Sequence, residues 1–207
     1  MKKILMLATV YMALIFQINA ENNTSEVFKV EEITWYGLDF SSVRLIGAIG
    51  FKDKEKIKDY YFDAWNSLII DEPKKYRLDK FFRKESVEYY LDIATERNEL
   101  PNINDMVIED EYSFDDEKVM QIISEYDTKD NEGIGLAFII ESLDKYQEKA
   151  FIWVTFFDIK TKQVIRTEKF YGKAGGYGFR NYWAGAYHNV MKSASKSIKK
   201  ENETINE

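Results

Sequence analysis

Cysteine and histidine, the residue types that most often make nucleophile–base pairs and metal sites, are almost absent from this chain of 207 residues. There is no cysteine, which excludes a thiol nucleophile, and the single histidine, His188, would have to serve any Ser-His-Asp arrangement or zinc site alone. His188 follows Tyr187, a member of an apolar helical stripe, so the spacing predicts a solvated position on that helix, and no Gly-x-Ser-x-Gly elbow presents a serine. No catalytic residue, metal site or cofactor is expected. Carboxylates are abundant, 36 in all, and two of them facing one another could cleave a glycoside. The dense clusters Glu109-Asp110-Glu111 and Asp115-Asp116-Glu117 fall in a loop and at a helix start, where acids serve solubility and capping. The stretch from Asp127 to Gly133 has the composition of a calcium loop, but Lys129 takes the third ligand position and Gly133 comes one place late, so a helix-to-strand turn explains it better.

Two glycine-punctuated aromatic segments remain. Gly172, Gly175, Gly176 and Gly178 precede a helix, with Lys173 and Arg180 bringing positive charge to the place where its backbone N–H groups could converge on an anion. Their spacing matches neither a Walker loop nor a dinucleotide fingerprint, and a turn needing positive φ is the plainer reading. Around them lie Phe170, Tyr171, Tyr177, Phe179, Tyr182 and Trp183, the residue types that dominate contact surfaces. The other segment, from Trp35 to Phe40, is expected to bend at Gly37 and to be capped by Asp39. Placed at one end of a sheet, the two segments would form a single rim, with Tyr177, Arg180, Lys173, Trp35 and Asp39 as candidate binding residues.

The elements that must position these residues can be read from periodicity. Residues 1–20 begin with Lys2 and Lys3, continue through an apolar run from Ile4 to Phe16 and end at Ala20 before polar residues, the order of a secretory signal peptide. At about 13 residues the run is shorter than the ~20 that span a bilayer. The expected mature chain has 27 basic and 36 acidic residues, net −9, which disfavours duplex DNA and anionic lipid as partners and leaves no transmembrane segment. Without a cysteine at the cut site it is not a lipoprotein, so an exported, periplasmic or envelope-associated location is expected. The expected division is a signal peptide over 1–20, one globular domain over 21–198 and a disordered tail over 199–207.

Within that domain a strand is predicted near 28–40, continued or paired by Val43 to Gly47. A helix from Asp53, placed to cap its start, to Leu68 carries Ile57, Tyr60, Tyr61, Ala64, Trp65 and Leu68 on one stripe. After a short helical turn at 78–82, alternation from Val87 to Ala94 reads as a strand and 98–104 as a loop. A second helix, from 114 to 126, has a capping box of Ser113 and Asp116. Nearly continuous apolar runs at 134–143 and 150–159 read as central strands covered on both faces, and the more charged 163–171 as an edge strand. The last helix holds Trp183, Ala186, Tyr187, Val190, Met191, Ala194 and Ile198 at helical spacing. The order β-α-β-α-β-β-β-α makes an α/β (α+β) protein, a mixed sheet with helices packed on it.

Residues 133–200, with two long strands, the turn Asp158-Ile159-Lys160-Thr161, a third strand, a glycine-bearing loop and a long helix, resemble in pattern the periplasmic domains of TolB N-terminal, CsgG-like and LpoB-like envelope proteins. The resemblance implies a non-enzymatic module that binds an envelope protein or assembles with one. The alternative is a carboxylate-based hydrolase acting on an envelope polymer or glycan. It would require Asp39, Asp158 or Glu141 to face one another in a cleft, whereas a flat aromatic surface fits the module.

Overall fold

The structure, a computed structural model, describes residues 27–129 and 131–205. The expected signal peptide and the start of the expected mature chain lie outside the described residues. At the centre is β5 (Ile134–Asp144), buried along its whole length because its sequence is apolar on both pleat faces. One edge of β5 takes two short parallel strands end to end. β1 (Glu32–Asp39) pairs from Thr34 opposite Gly135 to Asp39 opposite Ile139, and β2 (Arg44–Ile46) follows from Arg44 opposite Ser142 to Ile46 opposite Asp144. β3 (Ser86–Tyr89) and β4 (Val107–Ile108) extend these outward in parallel. The other edge carries an antiparallel meander, β6 (Lys149–Asp158) and then β7 (Val164–Lys173), an edge strand as its charge suggests.

The helices pack on this mixed sheet, as the α/β reading requires. α1 runs without a break over 54–71 through Lys54–Lys56, a π-helical Ile57–Tyr61 and Phe62–Asp71. Asp53 caps it as expected, its carboxylate accepting the Lys56 N–H at 3.1 Å. The short α2 (Leu78–Phe82), α3 (Asp92–Arg97) and α4 (Ile103–Met106) follow, then α5 (Asp116–Ser124) and finally α6 (Phe179–Ile205). Trp35, Leu38, Phe138, Ile152 and Val154 point to one face and form the larger core with Phe62 and Trp65 of α1 and the α6 stripe, every member of which is buried. On the opposite face Tyr36, Ala137, Ile139 and Phe157 meet Ile93 of α3 and Val119, Ile122 and Ile123 of α5.

Three local expectations are corrected. The strand predicted to continue through Ala94 stops at Tyr89, where its partner β1 reaches the irregularity at Gly37; the chain then coils into α3, burying Ile93, Ala94 and Arg97 at helical spacing. The cap of α5 is Asp115, which accepts the Lys118 N–H at 3.1 Å, while the Phe114 N–H donates to Glu141. Residues 199–205, expected as tail, continue α6, with Glu201 paired to Arg166 of β7 at 2.9 Å; the last two residues lie outside those described.

Candidate functional site

The glycine segment leaves β7 and enters α6 at the end of the sheet where β2, the β5–β6 turn and the start of α1 also arrive. Its glycines let backbone pack on backbone. A Cβ on Gly172 would stand 2.0 Å from the Ala186 carbonyl oxygen, so β7 lies on α6 at a distance no side chain allows. Gly176 has φ +134° with the Asn181 carbonyl against it, whereas a Cβ on Gly175 would meet only open space. The junction is pinned by the Gly175 N–H, which donates to the Tyr182 carbonyl at 2.9 Å, and by the Trp65 indole of α1, which donates to the Arg180 carbonyl at 2.9 Å.

Three of the five candidate residues are exposed at this junction. Tyr177 is 96% exposed at the tip of the loop, and the side chains of Lys173 and Arg180 are exposed on either side of it. Phe179 separates two shallow hollows. One, of about 250 Å³, is lined by Gly50, Lys145, Gly176, Gly178, Tyr182 and Trp183; the other, of about 300 Å³, by Ile49, Lys52, Asp53, Lys56, Ile57 and Tyr61 at the π turn of α1. Lys145 lies 4.2 Å from the Tyr182 ring centroid and donates to the hydroxyl of the same tyrosine at 3.0 Å, and that hydroxyl in turn donates to Glu148 at 3.0 Å. Ile49, at 75% exposure, adds an apolar residue to a border that is cationic on an otherwise acidic protein.

Trp35 and Asp39 do not join this rim. Trp35 is fully buried on the pleat face beneath α1 and α6, edge-on to Tyr89 and Phe138. Asp39 is equally buried and organises the other face. One of its oxygens accepts from the Ser41 N–H at 2.7 Å, the capping expected of it; the other accepts from Arg97 Nε and the Tyr126 hydroxyl, both at 2.9 Å. Burial, together with the charge of Asp39, pushes the Tyr126 phenol well above its ordinary range. The sequence segment is aromatic because it is core: Trp35 is covered from one face of the sheet and Asp39 from the other, so neither side chain is open to a partner.

The carboxylates of the hydrolase alternative are engaged elsewhere. Asp158 accepts from the Thr161 N–H and hydroxyl at 2.6 and 2.7 Å in the turn after β6. It pairs with Ile134, seven positions along β5 from Glu141, so the two strands' positions are roughly 20 Å apart, against about 5–9.5 Å for a glycosidase pair. Glu141 is buried and holds Lys169, the Trp153 indole and the Phe114 N–H. His188 is wedged between Tyr76 and Phe81, and its imidazole is held below its usual pKa by burial and by Lys192 and Lys75.

Glu141 has two polar neighbours, Ser142 and Asp144, that its strand's apolar pattern does not single out. Glu141, Ser142 and Asp144 line a hollow of about 400 Å³ on the α5 side of the sheet. The signal was available: three polar residues interrupt the end of an apolar strand. No protein-family model matches this chain, and no curated protein matches it in sequence.

Proposed function

We propose that this chain is an exported, non-enzymatic binding or assembly module whose contact surface is the rim around the glycine loop. The observation that carries the reading is the exposure of Tyr177 and Ile49 beside the two hollows flanking Phe179, in a molecule whose other large aromatics mostly pack inward. Tyrosine, isoleucine and arginine on a rigid backbone give large contact area at modest ordering cost, and Lys52, Lys56, Lys145, Lys173 and Arg180 favour a partner protein with an acidic border. The engagement of Asp39, Glu141 and Asp158 with structural partners weighs against the hydrolase. Export is supported by the order of residues 1–20, and a role in the envelope by the pattern resemblance of residues 133–200.

Recovery of the native partner from the source cell tests the surface. Tyr177→Ala and Arg180→Ala should each lower recovery several-fold with the thermal midpoint unchanged; equal recovery by both variants and the wild type would refute the rim. Mass spectrometry of the protein from its native host should give Glu21 as the first residue, and an intact Met1 chain in the cytoplasm would remove the export reading.

A further inference from the structure

Three carboxylates are buried among the described residues: Asp39, Glu141 and Asp144. The first two have cations against them, Arg97 at 2.9 Å and Lys169 at 2.8 Å. Asp144, 3% exposed, has none among the described residues. Its oxygens accept only from Gln147, one from the backbone N–H and one from Nε2, each at 2.9 Å, which leaves half of their acceptor capacity unused. Its cross-strand partner Lys149 reaches the Gln147 side-chain oxygen at 3.5 Å and lies over the Tyr171 ring instead, and the adjacent Lys145 turns to Tyr182 and Glu148. Two positions before Asp144, Ser142 is fully buried and its hydroxyl has no hydrogen-bond partner.

A buried carboxylate without a counter-ion and a buried hydroxyl without a partner each cost stability, and both belong to residues lining the same hollow of about 400 Å³. The irregularity of β5 between Ile140 and Ser142, where the strand gains a residue on β6, brings them there. Phe151 and Tyr112 supply apolar and aromatic lining, Glu111 a further acid, and Lys169 a cation already paired with Glu141. The volume lies in the lower part of the range for clefts that hold small ligands.

We propose that this hollow binds a small organic cation carrying a primary ammonium group. Its N–H groups donate to the free acceptor positions of Asp144, and its carbon skeleton lies along Phe151. The ammonium supplies the charge that Arg97 supplies to Asp39 and Lys169 to Glu141. A divalent metal fits less well: it needs six or more oxygens, and among the described residues no three acidic, histidine or cysteine side chains are grouped to hold one.

Calorimetric titration of the full chain, at about 150 mM salt to suppress adsorption to its acidic surface, tests this with cadaverine and glucosamine against 1,5-pentanediol, glucose and calcium chloride. At least one amine should saturate at one site, about tenfold or more tighter than its uncharged counterpart, and shift the Gln147 side-chain amide resonance in the 15N-labelled protein. Asp144→Asn should weaken that binding about tenfold, with the exposed control Asp71→Asn unchanged. Failure of both amines to saturate would overturn the proposal. So would equal binding of the neutral compounds, a Gln147 shift given by calcium alone, or amine binding unmoved by Asp144→Asn. Should Asp144→Asn not fold, the Gln147 resonance of the wild type decides by itself: saturation without a shift there means adsorption elsewhere.

Discussion

On one face of the sheet Trp35, Phe138, Ile152 and Val154 are sealed beneath α1 and the full length of the α6 stripe. On the other, α3 and α5 reach Tyr36, Ile139 and Phe157, and beyond them the cover stops. Phe151 and Trp153 of β6 are half-buried there, Trp153 is stacked on Phe114 at 6.1 Å, and charges enter the layer as the Glu141–Lys169 pair and the Asp39–Arg97–Tyr126 cluster. The same strands therefore make one face by shape-matched apolar packing and the other by ion pairs and hydrogen bonds. The first is a stability device. The second leaves room for polar groups whose partners need not all belong to the chain.

The largest test of that contrast compares tryptophans on the two faces. Trp183→Ala, on the sealed face, should cost about 3–5 kcal/mol in urea unfolding, whereas Trp153→Ala, half-buried on the open face, should cost about 2 kcal/mol. Equal losses would mean that the open face is packed as tightly as the sealed one. Next, Arg97→Met leaves Asp39 buried without its cation and should cost about 3 kcal/mol, much of which Asp39→Asn in the same chain should restore, because the neutral amide no longer needs the charge. A double variant no more stable than Arg97→Met would show that Arg97 acts through its packing and not through the pair.

The smallest effect concerns the one ammonium buried among the described residues. Lys84, between α2 and β3, donates to the carbonyls of Val27 and Val30, and burial holds its pKa down to about 8 from 10.5. Between those values the unfolded chain binds a proton that the folded chain has released, so stability should rise as pH increases from about 8 towards 10 and flatten below 8. Above 10 the buried tyrosines act in the opposite sense, Tyr36 being pushed up to about 12 by burial. Unfolding midpoints at pH 7.5 and 9.5 should differ for the wild type and converge for Lys84→Met; a wild type with no rise would show that Lys84 stays charged in the fold.

Where a segment's own periodicity decides its structure, the sequence was readable. The α6 stripe, the two central strands and the cap at Asp53 follow from side-chain spacing, and so did the mixed-sheet class. What was not readable depends on partners distant in the chain. Nothing local distinguishes Leu91 to Ala94 from a continuing strand, because the strand ends where β1 bends at Gly37, more than fifty positions earlier. The rim was half legible for the same reason. Exposure of Tyr177 follows from its glycine neighbours, but Trp35 and Asp39 sit in an equally glycine-punctuated segment that becomes core because helices distant in the chain cover both faces of its strand.

The position of β5 sets the order in which this molecule can be assembled. All of its parallel neighbours come before it in the sequence, and Trp35 must wait for Leu136, about a hundred residues later, before its strand has a neighbour on that side. The meander of β5, β6 and β7 with α6 needs only short connections. A chain emerging from its N-terminus therefore carries Trp35, Leu38 and Phe40 unsheltered until two thirds of it is available, then gains its template and its closing helix together. That timing keeps the first half of the chain loose until the meander and its closing helix are made.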